Sequence, residues 1–210
     1  MSFLDLFKAK KTNKPSNKTP KTAPAAAPAT PSETPNANQD LQQIANQTYP
    51  GIAIYVRDAN LPKALSDKYT PGRIILERAF TDASNRVMGM VTTHRYMILS
   101  NHMKNFSSFE QGTNWGLHVA QNNSRFKVLG QHSYNGKTAI VLLHLPNNDT
   151  WKVFKNCNFS LDEQLYQMSI QRFEAKCEQP PIPELATPQW LNRCAFPVGM
   201  DDKGNFWNVE

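Results

Sequence analysis

The chain predicts an α+β fold: a mixed or mostly antiparallel sheet packed by one long C-terminal helix and preceded by a disordered tail. Three stretches carry that reading. Phe126 to Leu145, FKVLGQHSYNGKTAIVLLHL, is a pair of β-prone runs joined at Asn135-Gly136. Both central residues of a two-residue hairpin turn need φ > 0, and Asn-Gly adopts it at least steric cost. Ala139 to Leu143, AIVLL, is apolar on both faces, which puts the returning strand in the middle of a sheet covered on both sides. Ser160 and Glu163 match the Ser-x-x-Glu capping box of a helix running to about Gln179.

That helix has a broad apolar side. Tyr166, Ile170, Phe173 and Cys177 form one row and Leu161, Leu165 and Met168 a second. Together they span roughly 200°, more than a surface helix needs, so it should lie deep against the sheet. Pro180-Pro181 stops it, and Pro183 and Pro188 keep the following chain extended.

In chain order, residues 1–11, MSFLDLFKAKK, are a short amphipathic basic segment: Phe3, Leu4 and Phe7 share a helix face ahead of Lys8, Lys10 and Lys11. The segment resembles the short amphipathic beginnings of some bacterial peripheral membrane proteins. That resemblance implies a weak tether to an anionic membrane surface. The apolar run is too short for a secretory signal, and its lysines follow instead of preceding it. Residues 12–44 are a disordered Pro/Ala/Thr/Lys-rich linker, because Pro15, Pro20, Pro24, Pro28, Pro31 and Pro35 stop any helix and there is too little apolar mass to offset ordering entropy. Residues 45–210 are then one α+β globular domain of ordinary size.

Within the body, Gly51 to Arg57 alternates as a strand with Ile52, Ile54 and Val56 on one face. Leu61 to Lys68 reads as a short helix, Arg73 to Phe80 as a strand, and Thr81 to Arg86 as a loop. Val87 to Ser100 is long enough for one bent strand or two, with Gly89 marking a bulge or a close backbone approach. Residues 101–114 place Met103, Phe106 and Phe109 at helical spacing, which predicts a short helix. The other reading of this segment is a loop that offers His102, Lys104, Phe106, Phe109 and Trp115 for binding. Trp115 to Ala120 is a further strand, Trp151 to Lys155 a short strand or lead-in, and Cys194 to Val209 a closing hairpin around residues 201–205.

Charge and cysteine content bound the function. Of the net charge of +6, half falls on residues 1–45, so the body is only weakly basic and nucleic acid is disfavoured as a partner. Cys157, Cys177 and Cys194 form no Cys-x-x-Cys pair, which points to free thiols in a reducing, cytoplasmic setting, peripheral at the inner membrane face if the tether acts. Their spacing offers no metal site, and no cofactor motif is present.

His94, His118, His132 and His144 all fall on predicted strands and are the candidate acid and base residues should they converge. The predicted hairpin register sets His132 and His144 on opposite faces. No family resemblance covers residues 45–210. The leading expectation is therefore a non-enzymatic intracellular bacterial binding or adaptor domain with a protein partner. A small hydrolase-type enzyme using the strand histidines is the second reading, and a nucleic-acid-binding protein the third.

Overall fold

The computed structural model of the chain describes residues 47–155 and 160–209. The amphipathic segment 1–11, the linker 12–44 and Cys157 lie outside them. In chain order the regular elements are β1 (Ala53–Ala59), α1 (Lys63–Ser66), β2 (Ile74–Glu77), β3 (Thr81–Ser84), β4 (His94–Ser100), β5 (Lys104–Asn105), β6 (Leu117–Ala120), β7 (Ser124–Tyr134), β8 (Lys137–His144), α2 (Ser160–Cys177) and α3 (Pro188–Arg193). The strands form a single eight-stranded sheet in the order β2-β7-β8-β4-β1-β3-β6-β5. Only β4 and β8 run parallel, so the sheet is mixed and mostly antiparallel.

Turn chemistry fixes the hairpin. Asn135 and Gly136 have φ of 48° and 71°, and Tyr134 pairs with Lys137 as a two-residue turn requires. The register then slips at Leu129. Gly130 faces Val141 but Val128 faces Leu142, and Phe126 faces His144 instead of Leu145. One extra residue on β7 absorbs the shift as a β-bulge. Gly130 beside it lies under the Tyr166 ring, where a Cβ would approach Cε2 to 2.5 Å.

Three sequence expectations change. TDAS is the strand β3, paired with β1 and β6, because neighbours on both sides supply ladder hydrogen bonds that outweigh the weak β preference of Asp, Ala and Ser. Residues 101–114 form no α-helix; they hold the two-residue β5 and a 3-10 turn at Ser107–Phe109. The Glu110 carboxylate bends this segment back by accepting the backbone N–H groups of Trp115 and, at 2.6 Å, Leu117. Asp149–Phe154 is a 3-10 turn, not a strand, with Asn148 Oδ1 accepting from Thr150 N at 3.1 Å.

The helical cover is also divided among several pieces. On α2 the fully buried stripe is Leu165, Ser169, Ile170 and Phe173, narrower than the sequence suggested. After it come a 3-10 turn at Pro183–Ala186, α3, and an irregular strap over residues 194–200. α2 packs on β7 and β8, and these pieces share the rest of the cover.

Side chains alternate between two faces. On the back, Ile54, Val56, Met97, Leu99, Val141 and Leu143 pack with Phe173 of α2, Trp151 and Phe154. On the front, Ile98, Ile140, Leu142 and Phe126 pack beneath Leu61, Tyr69, Val198 and Met200. Tyr69 Oη fastens the strap, donating to Val198 O at 2.7 Å and meeting Tyr96 Oη at 2.8 Å. A third cluster joins Trp115, Leu117 and Val119 to Ile182, Leu185 and Trp190.

Candidate functional site

Two arginines are buried near the middle of the sheet, and the contrast between them locates the site. Arg57 ends the GIAIYVR run on β1, and Arg95 sits on β4 opposite Asp58. Arg95 faces the back. Its Nε and Nη2 grip the two Asp58 carboxylate oxygens at 2.6 and 2.7 Å, and Nη1 and Nη2 also donate to the Met88 and Gly89 carbonyls. Four of its five N–H groups are thus engaged, and a carboxylate meets its charge.

Arg57 faces the front, opposite Tyr96, and is only 6% exposed. Its Nη1 donates to Asp82 O at 3.1 Å and its Nη2 to Phe196 O at 3.3 Å, while Nε has no hydrogen-bond partner among the described residues. Among the described residues it forms no ion pair. A guanidinium stays charged inside a protein, and a buried charge is costly unless a counter-charge meets it. The Nε/Nη2 edge that holds a carboxylate on Arg95 thus holds, on Arg57, only one long bond to a strap carbonyl.

The surroundings of Arg57 are equally specific. Pairing of β3 between β1 and β6 places Arg57, Ala83 and His118 in one row on the front face, continued by Asn105 on β5. Because Ala83 is small, Tyr55 and His118 meet across it with ring centroids 4.8 Å apart. His118 Nδ1 lies 3.0 Å from Gly116 O, which orients the ring, and burial raises the Tyr55 hydroxyl above its ordinary pKa. Thr81, opposite Ala120 on the same face, has a buried hydroxyl with no hydrogen-bond partner among the described residues. A cationic fork, two rings in tilted contact and a spare hydroxyl suit a ligand that combines an anion with a planar group. Phe196, on the strap above, is 68% exposed.

No protein family and no curated protein sequence matches this chain. Solved structures do. The type III effector XopAI of Xanthomonas axonopodis pv. citri matches at 18% identity over 45% of this chain and 44% of its own, with a TM-score of 0.39. The ADP-ribosyltransferase HopU1 of Pseudomonas syringae pv. tomato matches at 17% identity over 45% of each chain, TM-score 0.40. Exoenzyme S of Pseudomonas aeruginosa, solved with human 14-3-3 protein beta and bound to carba-NAD, matches at 12% over 63% of this chain and 70% of its own, TM-score 0.40. The matched part spans less than half of the first two structures.

These matches correct the expectation of a non-enzymatic binding or adaptor domain. The chains matched include a named ADP-ribosyltransferase and an exoenzyme holding a NAD analogue, so protein binding alone is not carried further. With identities below 25% and TM-scores below 0.5, ligand chemistry and residue roles rest on the geometry of this chain alone.

The strand histidines do not meet. His94 and His144 lie six residues apart along the parallel pair β4 and β8, about 20 Å at the rise of a strand. His94 Nδ1 is 2.9 Å from Thr93 Oγ1, and His132 faces the back, its Nε2 2.7 Å from Glu174. His118 alone of the four shares a row with Arg57, one strand removed across Ala83. His144 is sealed in the interior by a chain of hydrogen bonds. His102 N donates to Ser100 Oγ at 3.1 Å, Ser100 Oγ reaches His144 Nδ1 at 2.9 Å, His144 Nε2 reaches Ser124 Oγ at 3.1 Å, and that hydroxyl donates to Gln121 O. Every group in that chain is satisfied with the imidazole neutral. Burial, reinforced by the neighbouring His102, pushes the His144 pKa down to about 3.

The proposed binding loop is spread over separate places. His102 stacks on His144 at 3.9 Å and lines a cavity of about 390 Å³ with Asn101, Asn148 and Thr150. Lys104 is on the β5 edge, Phe106 and Phe109 form an exposed ring pair 5.5 Å apart, and Trp115 is buried against Trp190. Among the described residues no group of His, Cys, Asp and Glu could hold a metal ion, and no helix is long and apolar enough to cross a membrane.

Sequence reasoning missed Arg57. Alternation in GIAIYVR gave Ile52, Ile54 and Val56 to the core and left Tyr55 and Arg57 to the other face, where a charge passes for a solvated one. The available signal was Arg57-Asp58 itself: adjacent opposite charges at the end of an apolar strand, one for each face of the sheet.

Proposed function

We propose that this chain is an enzyme whose substrate is a nucleotide bearing a pyrophosphate, bound at Arg57 on the front of the sheet. The observation that supports this reading is the buried Arg57 guanidinium, which has an unpartnered Nε and no carboxylate partner among the described residues. A phosphate oxygen pair fits the Nε/Nη2 edge bidentately and supplies the missing counter-charge. To reach it, the anion displaces the Phe196 carbonyl, the weakest of the contacts Arg57 makes. A planar ring of the same substrate then meets the Tyr55 and His118 pair.

The protein partner expected from the sequence enters this reading as an acceptor substrate. NAD joins a pyrophosphate to two planar rings, which makes it the first substrate to test. The experiment is titration of the full chain with NAD, followed by assays of NAD hydrolysis and of ADP-ribosyl transfer to protein. Saturable binding that falls about tenfold or more in both Arg57→Ala and Arg57→Lys supports the site, since lysine carries the charge but not the fork. Binding of equal strength in those variants, or none to the native chain, removes it.

A further inference from the structure

A second basic and aromatic recess lies at the β2 edge of the sheet, remote from Arg57 in the strand order. It is a cavity of about 450 Å³ lined by Arg73, Trp151, Lys155, Phe206 and Trp207, among others, with no carboxylate among the described residues of its wall. Its arginines lie on rings. Arg73 is 4.9 Å from the Phe206 centroid, and just outside the wall Arg78 lies 4.4 Å from Trp207 and Arg125 4.7 Å from Trp151.

Among the described residues none of Arg73, Arg78, Arg125 and Lys155 joins an ion pair. The Nε of Arg125 is buried without a hydrogen-bond partner among the described residues. Arg125, half-buried on the Trp151 face, holds its charge in a partly desolvated setting, where an anion gains more from it than at an open surface, while Arg73, Arg78 and Lys155 stand exposed to an incoming anion. The half-exposed Trp207 indole offers a face to a planar ring, while Trp151 is buried.

We propose that this recess is a binding site for a nucleoside monophosphate, the base stacked on Trp207 and the phosphate held by Arg73 and Lys155. Each part is matched to one half of the ligand. Phosphate alone lacks the stacking and a nucleoside alone lacks the charge, so both bind more weakly than the whole. The site is independent of the Arg57 reading and stands or falls without it.

The test is titration of the full chain with AMP, inorganic phosphate and adenosine, followed through the indole N–H resonances. Trp115 and Trp190 pair with each other elsewhere, so they serve as internal controls. Saturable shifts confined to Trp151 and Trp207, strongest with AMP, are the expected result. The exposed double variant Arg73→Ala/Lys155→Ala should weaken AMP about tenfold or more, while Arg57→Ala leaves it unchanged. Equal affinity in the double variant overturns the proposal, as do shifts that appear at Trp115 and Trp190 instead or no saturation with AMP. A phosphate affinity equal to that of AMP reduces the site to a plain anion patch and also overturns it.

Discussion

Asp58 and Arg95 face each other across β1 and β4, locked by two hydrogen bonds of 2.6 and 2.7 Å with both side chains almost wholly out of solvent. The same guanidinium ties the carbonyls of Met88 and Gly89 to the sheet. Removing one partner strands the other charge in the interior. Asp58→Ala and Arg95→Met are each expected to cost about 3–5 kcal/mol of stability in urea unfolding, and the double variant less than their sum. Additive losses would mean that the pair is uncoupled.

Acid should loosen the fold through His144. Its folded pKa is lowered to about 3, far under the ordinary value of 6.5, and that of His102 is lowered too, mainly by burial. Above pH 6.5 both states hold the imidazole neutral and it contributes nothing to the pH dependence. Between pH 6.5 and 3 the unfolded chain takes up a proton that the folded chain refuses, so stability falls as pH drops, by roughly 1 kcal/mol per pH unit for this group. Unfolding midpoints from pH 8 to pH 4 measure the slope. His144→Gln should flatten it, even though the variant starts from a lower stability at pH 8.

Gly89 answers to a close backbone approach, one of the two meanings its place in an apolar run allowed. It bridges to Pro181, and a Cβ there would come within 1.9 Å of Gln179 O, a backbone atom with little room to retreat. Gly89→Ala is expected to cost about 1–3 kcal/mol. Because the Gly89 carbonyl also holds Arg95, part of that loss should vanish in an Arg95→Met background.

How much of this was legible follows from what each residue answers to. The Asn135-Gly136 turn, the central place of AIVLL and the helix from Ser160 depend on local backbone preference and periodicity, and they were readable. Thr81 to Ser84 was not, since it becomes a strand only by lying between β1 and β6. The helix expected from Met103, Phe106 and Phe109 fails because Glu110 finds the N–H groups of Trp115 and Leu117, a contact that spacing does not encode. The candidate site escaped for the same reason: Arg57 is remarkable only through the partners it lacks, and these emerge once the Phe196 carbonyl, 139 residues away in sequence, settles over it.

Replacing Arg57 separates a residue kept for a ligand from one kept for the fold. If it serves stability, Arg57→Met should cost as much as Arg95→Met, since both are buried arginines on neighbouring strands. If it awaits an anion, the native chain already bears the desolvation of an unmatched charge, and an apolar side chain of similar length relieves it. The lost bonds to Asp82 O and Phe196 O offset part of that gain. The expected outcome is a change within about 1 kcal/mol of the native stability, or a modest gain, against the loss of several for Arg95→Met. Thermal midpoints of the two variants in one buffer decide it. Equal losses would make Arg57 a structural residue and withdraw the site built on it, whereas a stable Arg57→Met that no longer binds NAD ties the unmet charge to the ligand.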